Sequence, residues 1–174
     1  SIDQARLRKM LKMTSYAASS DETRHVLNGA LMSFKGGQLA VVATDGRRLA
    51  MMEQDVDLPK DAGNEMVIPI KTVNELIRTM GDGGPVKIKA TANQVAFEFS
   101  GILILSKLIV GKFPAFRKVI PSRSQERVAV DRECLMAAVR RAALVTSEQS
   151  NSIKFSFNKN RLDLITKTPD VGEA

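Results

Sequence analysis

Cationic side chains recur on three stretches of the sequence that have helical periodicity, and their chemistry suits phosphate binding. Each stretch carries its cations opposite an apolar stripe. The candidates are Arg8, Lys9 and Lys12 on the first stretch, Lys71 and Arg78 on the second, and Arg132, Arg140 and Arg141 on the third. A solvated helix face would also carry cations. Three successive basic helices nevertheless favour contacts to a nucleic-acid backbone that do not depend on base sequence.

The charge balance of the 174-residue chain agrees with that interpretation. There are 26 Lys and Arg residues against 19 Asp and Glu, so the net charge is +7 and the pI is near 9.8. Such a surplus points to nucleic acid or an anionic membrane, although basic proteins without either partner exist. No apolar run approaches the ~20 residues of a membrane span. Since Cys134 is the only cysteine, no internal disulfide can form and a reducing compartment fits. With the basic charge, we expect a cytoplasmic, nucleoid-associated protein without a membrane partner.

The residues that enzymes of nucleic acids require are not clustered. His25 is the only histidine, and the carboxylates are scattered rather than grouped as for Mg²⁺. The turn at Gly81–Gly84 lacks the Gly-Lys-Ser/Thr of a phosphate-binding loop. Cys134 falls on a predicted helix beside Leu135, where a small buried hydrophobe is expected rather than a nucleophile. We therefore predict no catalytic residue, no metal and no cofactor.

Two helices and several strands are predicted before residue 111. The first helix begins at the N-cap Asp3 and continues to about Ala18, and the second follows Pro69. The Asp45-Gly46 pair separates two apolar runs and predicts a β-hairpin. Strands are predicted at Leu39–Ala43, Arg48–Met52, 86–90, 94–99 and 102–110.

The same plan of helix and then strands begins again near residue 131. A third helix is predicted from Asp131 to Val145, with strands at Ile153–Phe157 and Arg161–Thr166. When the two helices are aligned, Asp3 matches Asp131 and Leu7 matches Leu135. This pattern indicates either a repeated domain with a truncated second copy or a chance similarity of two helix-hairpin segments. Because the chain lacks an initial Met and stops abruptly at Ala174, we expect a fragment.

Three segments in register carry a resemblance to a known family. They are Asp21–Gly29, Val42–Ala50 and Ser106–Pro121. In this order and spacing they closely resemble the central domain of the bacterial DNA polymerase III beta subunit. The resemblance implies an α+β DNA-clamp fold, with repeated units of an inner helix and outer antiparallel strands. Residues 1–121 would form the central domain and 122–174 the start of the C-terminal domain, without the first domain.

The resemblance also implies a function. Such a subunit forms a homodimer ring around double-stranded DNA and catalyses nothing. It tethers polymerase and clamp-loader subunits, which insert short apolar peptides into a pocket. The pocket residues carried over are Arg24, Leu27, Thr44, Gly46, Arg47, Arg48, Leu49, Pro114, Lys118 and Val119. Many relatives carry Arg where this chain has Lys118. The planar guanidinium group, which can donate two parallel hydrogen bonds to a peptide, is therefore absent at this position.

The resemblance places the ring-closing interface at Leu144 and Val145. Leu144 lies nearly opposite Leu135 on the third predicted helix, so one of the two should face outward. The alternative to a clamp is a generic basic DNA-binding module. That class needs a recognition helix with side chains for base edges, and these three helices carry mainly lysine, arginine and small residues.

Overall fold

A computed structural model describes residues 1–21, 23–57, 63–122, 127–146, 152–168 and 172–173. The chain forms two compact units, Ser1–Ile120 and Pro121–Ala174. Both combine helix with antiparallel strands, which confirms the α+β prediction. The elements of the first unit are β1 (Ile2–Asp3), α1 (Gln4–Thr14), β2 (Gly29–Lys35), β3 (Gln38–Thr44), β4 (Leu49–Asp55), β5 (Asn64–Pro69), α2 (Ile70–Thr79), β6 (Pro85–Ala90), β7 (Gln94–Phe99) and β8 (Ile102–Lys107).

The first unit contains two four-stranded antiparallel sheets. The first sheet has the strand order β4-β3-β2-β5, and the second has the order β1-β6-β7-β8. In the second sheet the short β1 pairs with β6, which is distant in sequence, and Ile2 lies opposite Val86. Helix α1 contacts β3 and β4, α2 contacts β2 and β5, and the two helices contact each other. The helices therefore cover one face of the first sheet.

The helix stripes predicted from the sequence form the core. Leu7, Met10 and Leu11 of α1 and Val73 and Leu76 of α2 are fully buried. The core is also rich in methionine, because the aligned inward positions of four strands are Met66, Met32, Val41 and Met52. Helix α1 ends at Thr14, earlier than predicted, and continues as a 3₁₀ turn at Ser15–Ala17.

The opposite face of the first sheet is apolar as well. The aligned outward residues Val67, Leu31, Val42 and Met51 cross all four strands. The segment that follows β8, residues 108–120, lies against this face and is called the outer segment below. Its Phe116 is 8% exposed and belongs to the same apolar cluster as Leu31 and Val42. This sheet is therefore covered on both sides.

Among the described residues of the first unit, the second sheet is covered on one face only. Its outward positions align as Lys87, Glu98 and Leu103 in one row, with Lys89 and Leu105 at the ends of the next. Both lysines form ion pairs with Glu98 at 3.7 Å, and the two leucines are 67% and 64% exposed. The outward face of this sheet therefore has the polar character of an ordinary solvent-facing surface.

The second unit contains α3 (Arg132–Ala143), β9 (Lys154–Asn158) and β10 (Arg161–Ile165), with a short pair β11 (Lys167–Thr168) and β12 (Gly172–Glu173). Its helix is capped as α1 is. The Asp131 carboxylate accepts from the Cys134 N–H at 2.8 Å, and the Asp3 carboxylate accepts from the Arg6 N–H at 3.2 Å. Among the described residues, no helix is long and apolar enough to cross a membrane.

The prediction that Cys134 is buried is wrong. Cys134 is exposed, whereas its neighbour Leu135 is half-buried. Successive residues of an α-helix are rotated by about 100°. Cys134 therefore lies about a quarter turn away from the inward stripe that contains Leu135, Val139 and the buried Ala142. Proximity in sequence to apolar residues was the misleading signal.

Candidate functional site

The turn between β3 and β4 is held by a compact set of hydrogen bonds. The Thr44 hydroxyl donates to the Arg48 carbonyl at 2.7 Å and accepts from the Gly46 N–H at 3.0 Å. The Asp45 carboxylate accepts from the N–H groups of Arg47 and Arg48, both at 2.9 Å. These N–H groups lower the pKa of Asp45. Gly46 has φ of +88°, a conformation that side chains disfavour.

A second segment meets this turn. The Arg24 guanidinium donates from Nη1 to the Asp45 carbonyl at 3.3 Å and also pairs with Asp21 at 3.5 Å. A Cβ added to Gly46 would lie 3.5 Å from Arg24 Nη1, an ordinary contact distance, so the positive φ rather than crowding is what favours glycine there. On the other side, Arg48 lies over the ring of Tyr16 at 5.8 Å. The structure thus brings Arg24, Gly46 and Arg48 together and adds Tyr16, which sequence reasoning missed.

Leu49 belongs to the apolar outward face of the first sheet. It is half-buried and packs against the cluster formed by Val42 and Phe116. In the described residues that cluster does not include Leu27 or Val119. Leu27 ends a 3₁₀ turn at His25–Leu27 and is half-buried there. Leu49 therefore lies on the apolar outward face of the sheet, and the assignment of Leu27 to the pocket stays a prediction.

Pro114, Lys118 and Val119 lie on the outer segment. The Phe116 N–H donates to the Pro114 carbonyl at 2.7 Å, and the Val119 N–H donates to the Phe116 carbonyl at 3.2 Å. These backbone bonds fix Pro114 and Val119 on either side of the buried Phe116, while the Val119 side chain remains 70% exposed. A groove of about 650 Å³ runs beside the segment, lined among others by Leu31, Val67, Phe113, Pro114, Phe116 and Lys118.

The aromatic residues of this segment were missed in the sequence. Phe113 and Phe116 contact each other edge to face, with ring centroids 6.4 Å apart. Arg117 stacks over Phe116 at 5.3 Å and forms an ion pair with Glu53 of β4 at 2.7 Å. The uninterrupted apolar run Leu39–Ala43 was the available signal. A strand without polar alternation is buried on both faces, and something must cover the second face.

The cations of α1 and α2 differ in their surroundings. Lys9, Lys12 and Lys71 are exposed, and none of them forms an ion pair with another described residue. Arg8 is bonded internally: Nε donates to the Ile77 carbonyl at 3.0 Å, and Nη1 pairs with Asp82 at 3.2 Å.

Arg78 also has an internal partner. It forms a two-point ion pair with Glu75, with its shortest contact at 2.5 Å. The hydrogen bond from Arg78 lowers the pKa of Glu75, and the same bond raises the pKa of Arg78. The charge of this arginine is therefore partly compensated within α2.

The cations of α3 and the predicted interface residues lie in the second unit. Arg132 pairs with Glu133, whereas Arg140 and Arg141 are exposed in the last helical turn. Cations at that end of a helix are favourable because of the helix dipole. Leu144 is 82% exposed while Leu135 is half-buried, which confirms that one of these two leucines faces outward. No described group of three or more His, Cys, Asp or Glu residues could hold a metal ion.

Known proteins match this chain along nearly its whole length. It is 38% identical over 173 residues to the beta sliding clamp of Chlamydia pneumoniae, which covers 99% of this chain and 47% of that relative. The crystal structure of the DNA polymerase III subunit beta from Pseudomonas aeruginosa matches with a TM-score of 0.94 at 31% identity, covering 100% of this chain and 49% of that one. The sliding clamp from Bacillus subtilis matches with a TM-score of 0.93 at 30% identity, covering 99% and 46%.

The family models divide the chain in two. The model of the DNA polymerase III beta subunit central domain matches residues 1–115, and that of its C-terminal domain matches residues 117–174. The chain spans about half the length of the curated relatives it matches. These matches agree with the antiparallel sheets, the two helices and the outer segment described above. The chain belongs to the family of DNA polymerase III beta subunits, the bacterial beta sliding clamps.

Proposed function

We propose that the full-length protein is a DNA sliding clamp that encircles double-stranded DNA as a homodimer ring and itself catalyses no reaction. Family membership supports this proposal. The exposed Lys9, Lys12 and Lys71, which have no ion-pair partner among the described residues, are the local observation behind it. As a replication factor the protein would act in the cytoplasm, at the nucleoid.

A ring that moves along DNA requires attraction to phosphate without attachment to any base. Lysine ammonium groups on an exposed helix face supply such a field, because phosphate contacts carry no sequence information. Arg140 and Arg141 of α3 would add to it. Arg78 and Arg132 have carboxylate partners on their own helices, so their net contribution to the field is smaller.

Two double substitutions of equal charge test the DNA contact. In the full-length ring, Lys9→Ser with Lys12→Ser should weaken binding to circular DNA. The slope of log affinity against log salt should become shallower by roughly 0.9 for each lost phosphate contact. The control is Lys87→Ser with Lys89→Ser, on the outward face of the second sheet, where both lysines already pair with Glu98. That variant should keep the parental slope.

Equal slopes for the two double variants would refute the DNA contact proposed for α1. Affinity should also be the same for DNA of unrelated base sequences. A strong preference for one sequence would instead support a basic DNA-binding module that reads bases.

We also propose that the β3–β4 turn and the outer segment bind short apolar peptides of polymerase and clamp-loader subunits. The support is the fixed turn at Asp45-Gly46 together with the half-buried Leu49, which packs against the apolar cluster that contains Phe116 of the outer segment. A peptide leucine or phenylalanine would bury apolar area there, and Gly46 allows its backbone to approach closely.

The ring-closing contact is proposed at the C-terminal end of α3. Leu144 is 82% exposed, so its apolar side chain is accessible to a partner subunit. Leu144→Ala with Val145→Ala should shift the full-length protein from dimer toward monomer, because apolar burial is lost on the contact. Sedimentation at several protein concentrations measures the shift. An unchanged dimer would remove both residues from the interface.

A further inference from the structure

Two polar side chains in the first two turns of α1 bind the end of α2 and the turn that follows it. Gln4 is 2% exposed, and its amide oxygen accepts from the Gly81 N–H at 3.1 Å. Its amide nitrogen donates to the Gly83 carbonyl at 2.6 Å and to the Ser100 hydroxyl at 3.1 Å. All polar atoms of this buried amide thus have partners, and most belong to the turn after α2.

Arg8 makes the second attachment, one helical turn further along α1. Its Nε donates to the Ile77 carbonyl at 3.0 Å, which is one of the last carbonyl groups of α2 and has no partner within that helix. Its Nη1 pairs with Asp82, whose side chain is fully exposed. We call Gln4 and Arg8, with their partners at Ile77 and Gly81–Gly83, the α1–α2 clasp.

We infer that Gln4 and Arg8 are positioning residues that hold the lysine-bearing faces of α1 and α2 in a fixed register, and that Arg8 is not itself a phosphate contact. The geometry supports this in two ways. The fork of Arg8 is already used by a carbonyl and a carboxylate, whereas Lys12 on the same helix is exposed and has no ion-pair partner in the described residues. Gln4 carries no charge, yet it is the more deeply buried half of the clasp.

The inference rests on the proposed DNA contact. Lys9 and Lys12 belong to one helix and Lys71 to the other, so a phosphate backbone meets both sets together only if the helices keep their relative position. The hydrogen bonds of the clasp fix that position before DNA binds. The entropy cost of ordering the two helices therefore does not reduce the binding free energy.

Matched methionine substitutions in the full-length ring separate positioning from phosphate contact. Arg8→Met and Lys12→Met each remove one positive charge from α1. We expect Lys12→Met to flatten the salt slope of DNA affinity by about 0.9 without changing amide exchange. We expect Arg8→Met to leave the slope unchanged, to lower affinity about threefold at every salt concentration, and to speed exchange of the Gly81 amide about tenfold.

Variants that leave the charge of α1 unchanged complete the test. Gln4→Met should behave as Arg8→Met does, although it removes no charge. Arg8→Lys should not restore affinity, because one ammonium group cannot reproduce the two-point contact to Ile77 and Asp82. If Gln4→Met fails to fold, Asp82→Asn replaces it, since the exposed Asp82 side chain supports only the clasp. It should speed exchange at Gly81 and leave the salt slope unchanged.

Three results would overturn the inference. Arg8→Met could flatten the salt slope as Lys12→Met does, with Arg8→Lys restoring it. Asp82→Asn could steepen the slope by releasing Arg8 toward phosphate. Faster exchange at Gly81 in Gln4→Met without loss of affinity would make the clasp merely structural. A failure of the proposed DNA contact looks different, because Lys12→Met would then leave the salt slope unchanged.

Discussion

Both sheets of the first unit have four antiparallel strands, but their outward faces differ in chemical character. The first sheet presents an apolar row of Val67, Leu31, Val42 and Met51, covered by the outer segment. The second presents Lys87, Lys89 and Glu98 beside two exposed leucines. Both inward faces contribute to one core. The difference shows that two sheets of the same strand count can be covered on both faces or on one, according to the residues at their outward positions.

The largest effect is expected from Phe116→Ala. It removes the buried aromatic ring that covers the first sheet and should lower the free energy of unfolding by about 3 kcal/mol. Leu103→Ala, on the outward face of the second sheet, is the control and should change stability by no more than about 0.5 kcal/mol. Chemical denaturation of both variants measures the contrast. Similar losses in the two variants would mean that the sheets do not differ in this way.

A charge placed on each outward face tests the proposed peptide site. Leu49→Lys introduces an ammonium group next to Val42 and Phe116, and polymerase-peptide affinity should fall tenfold or more. Leu105→Lys is the matched control on the second sheet and should leave affinity unchanged. Titration with a labelled apolar peptide measures both, and a melting curve establishes that each variant is folded. A folded Leu49→Lys variant with parental affinity would exclude Leu49 from the site.

The smallest effect concerns the pH dependence of stability that comes from the turn between β3 and β4. Backbone N–H groups of Arg48 and Arg47 lower the pKa of Asp45 in the folded chain. Its contribution to stability is therefore present above the unfolded pKa of about 3.9 and is lost as pH falls through the lower folded pKa. Asp45→Asn should reduce Tm by about 1–2 °C at pH 7, and the difference should shrink below about pH 4. A constant difference down to pH 2 would contradict this origin.

Local patterns in the sequence predicted the elements well. Asp3 and Asp131 begin their helices, and the hairpin turns at Asp45-Gly46. These features depend on residues that lie within a few positions of each other. The strand predicted at 102–110 was too long, because β8 ends at Lys107 and the Leu108 N–H donates to the carbonyl of Asn93 instead.

Features that depend on distant partners could not be predicted in the same way. Arg8 has the sequence context of any exposed helical cation, and only the folded chain brings Ile77 and Asp82 to it. Phe116 was not singled out in the sequence, and its burial requires the outward face of a sheet whose strands lie much earlier in the chain. Which exposed lysines contact DNA, and whether Leu144 closes a ring, remain predictions because they depend on partners.

The pairing of β1 with β6 has a consequence for how the chain folds. Most strand pairs of the first unit are hairpins of neighbouring strands, whereas Ile2 meets Val86 only after all the chain between them has been made. Closing so long a loop costs more entropy than closing a hairpin. We expect the first sheet to form early during synthesis, since its last strand ends at Pro69. Strand β1 would then pair only after β6 has been synthesised, later than the strands of the first sheet.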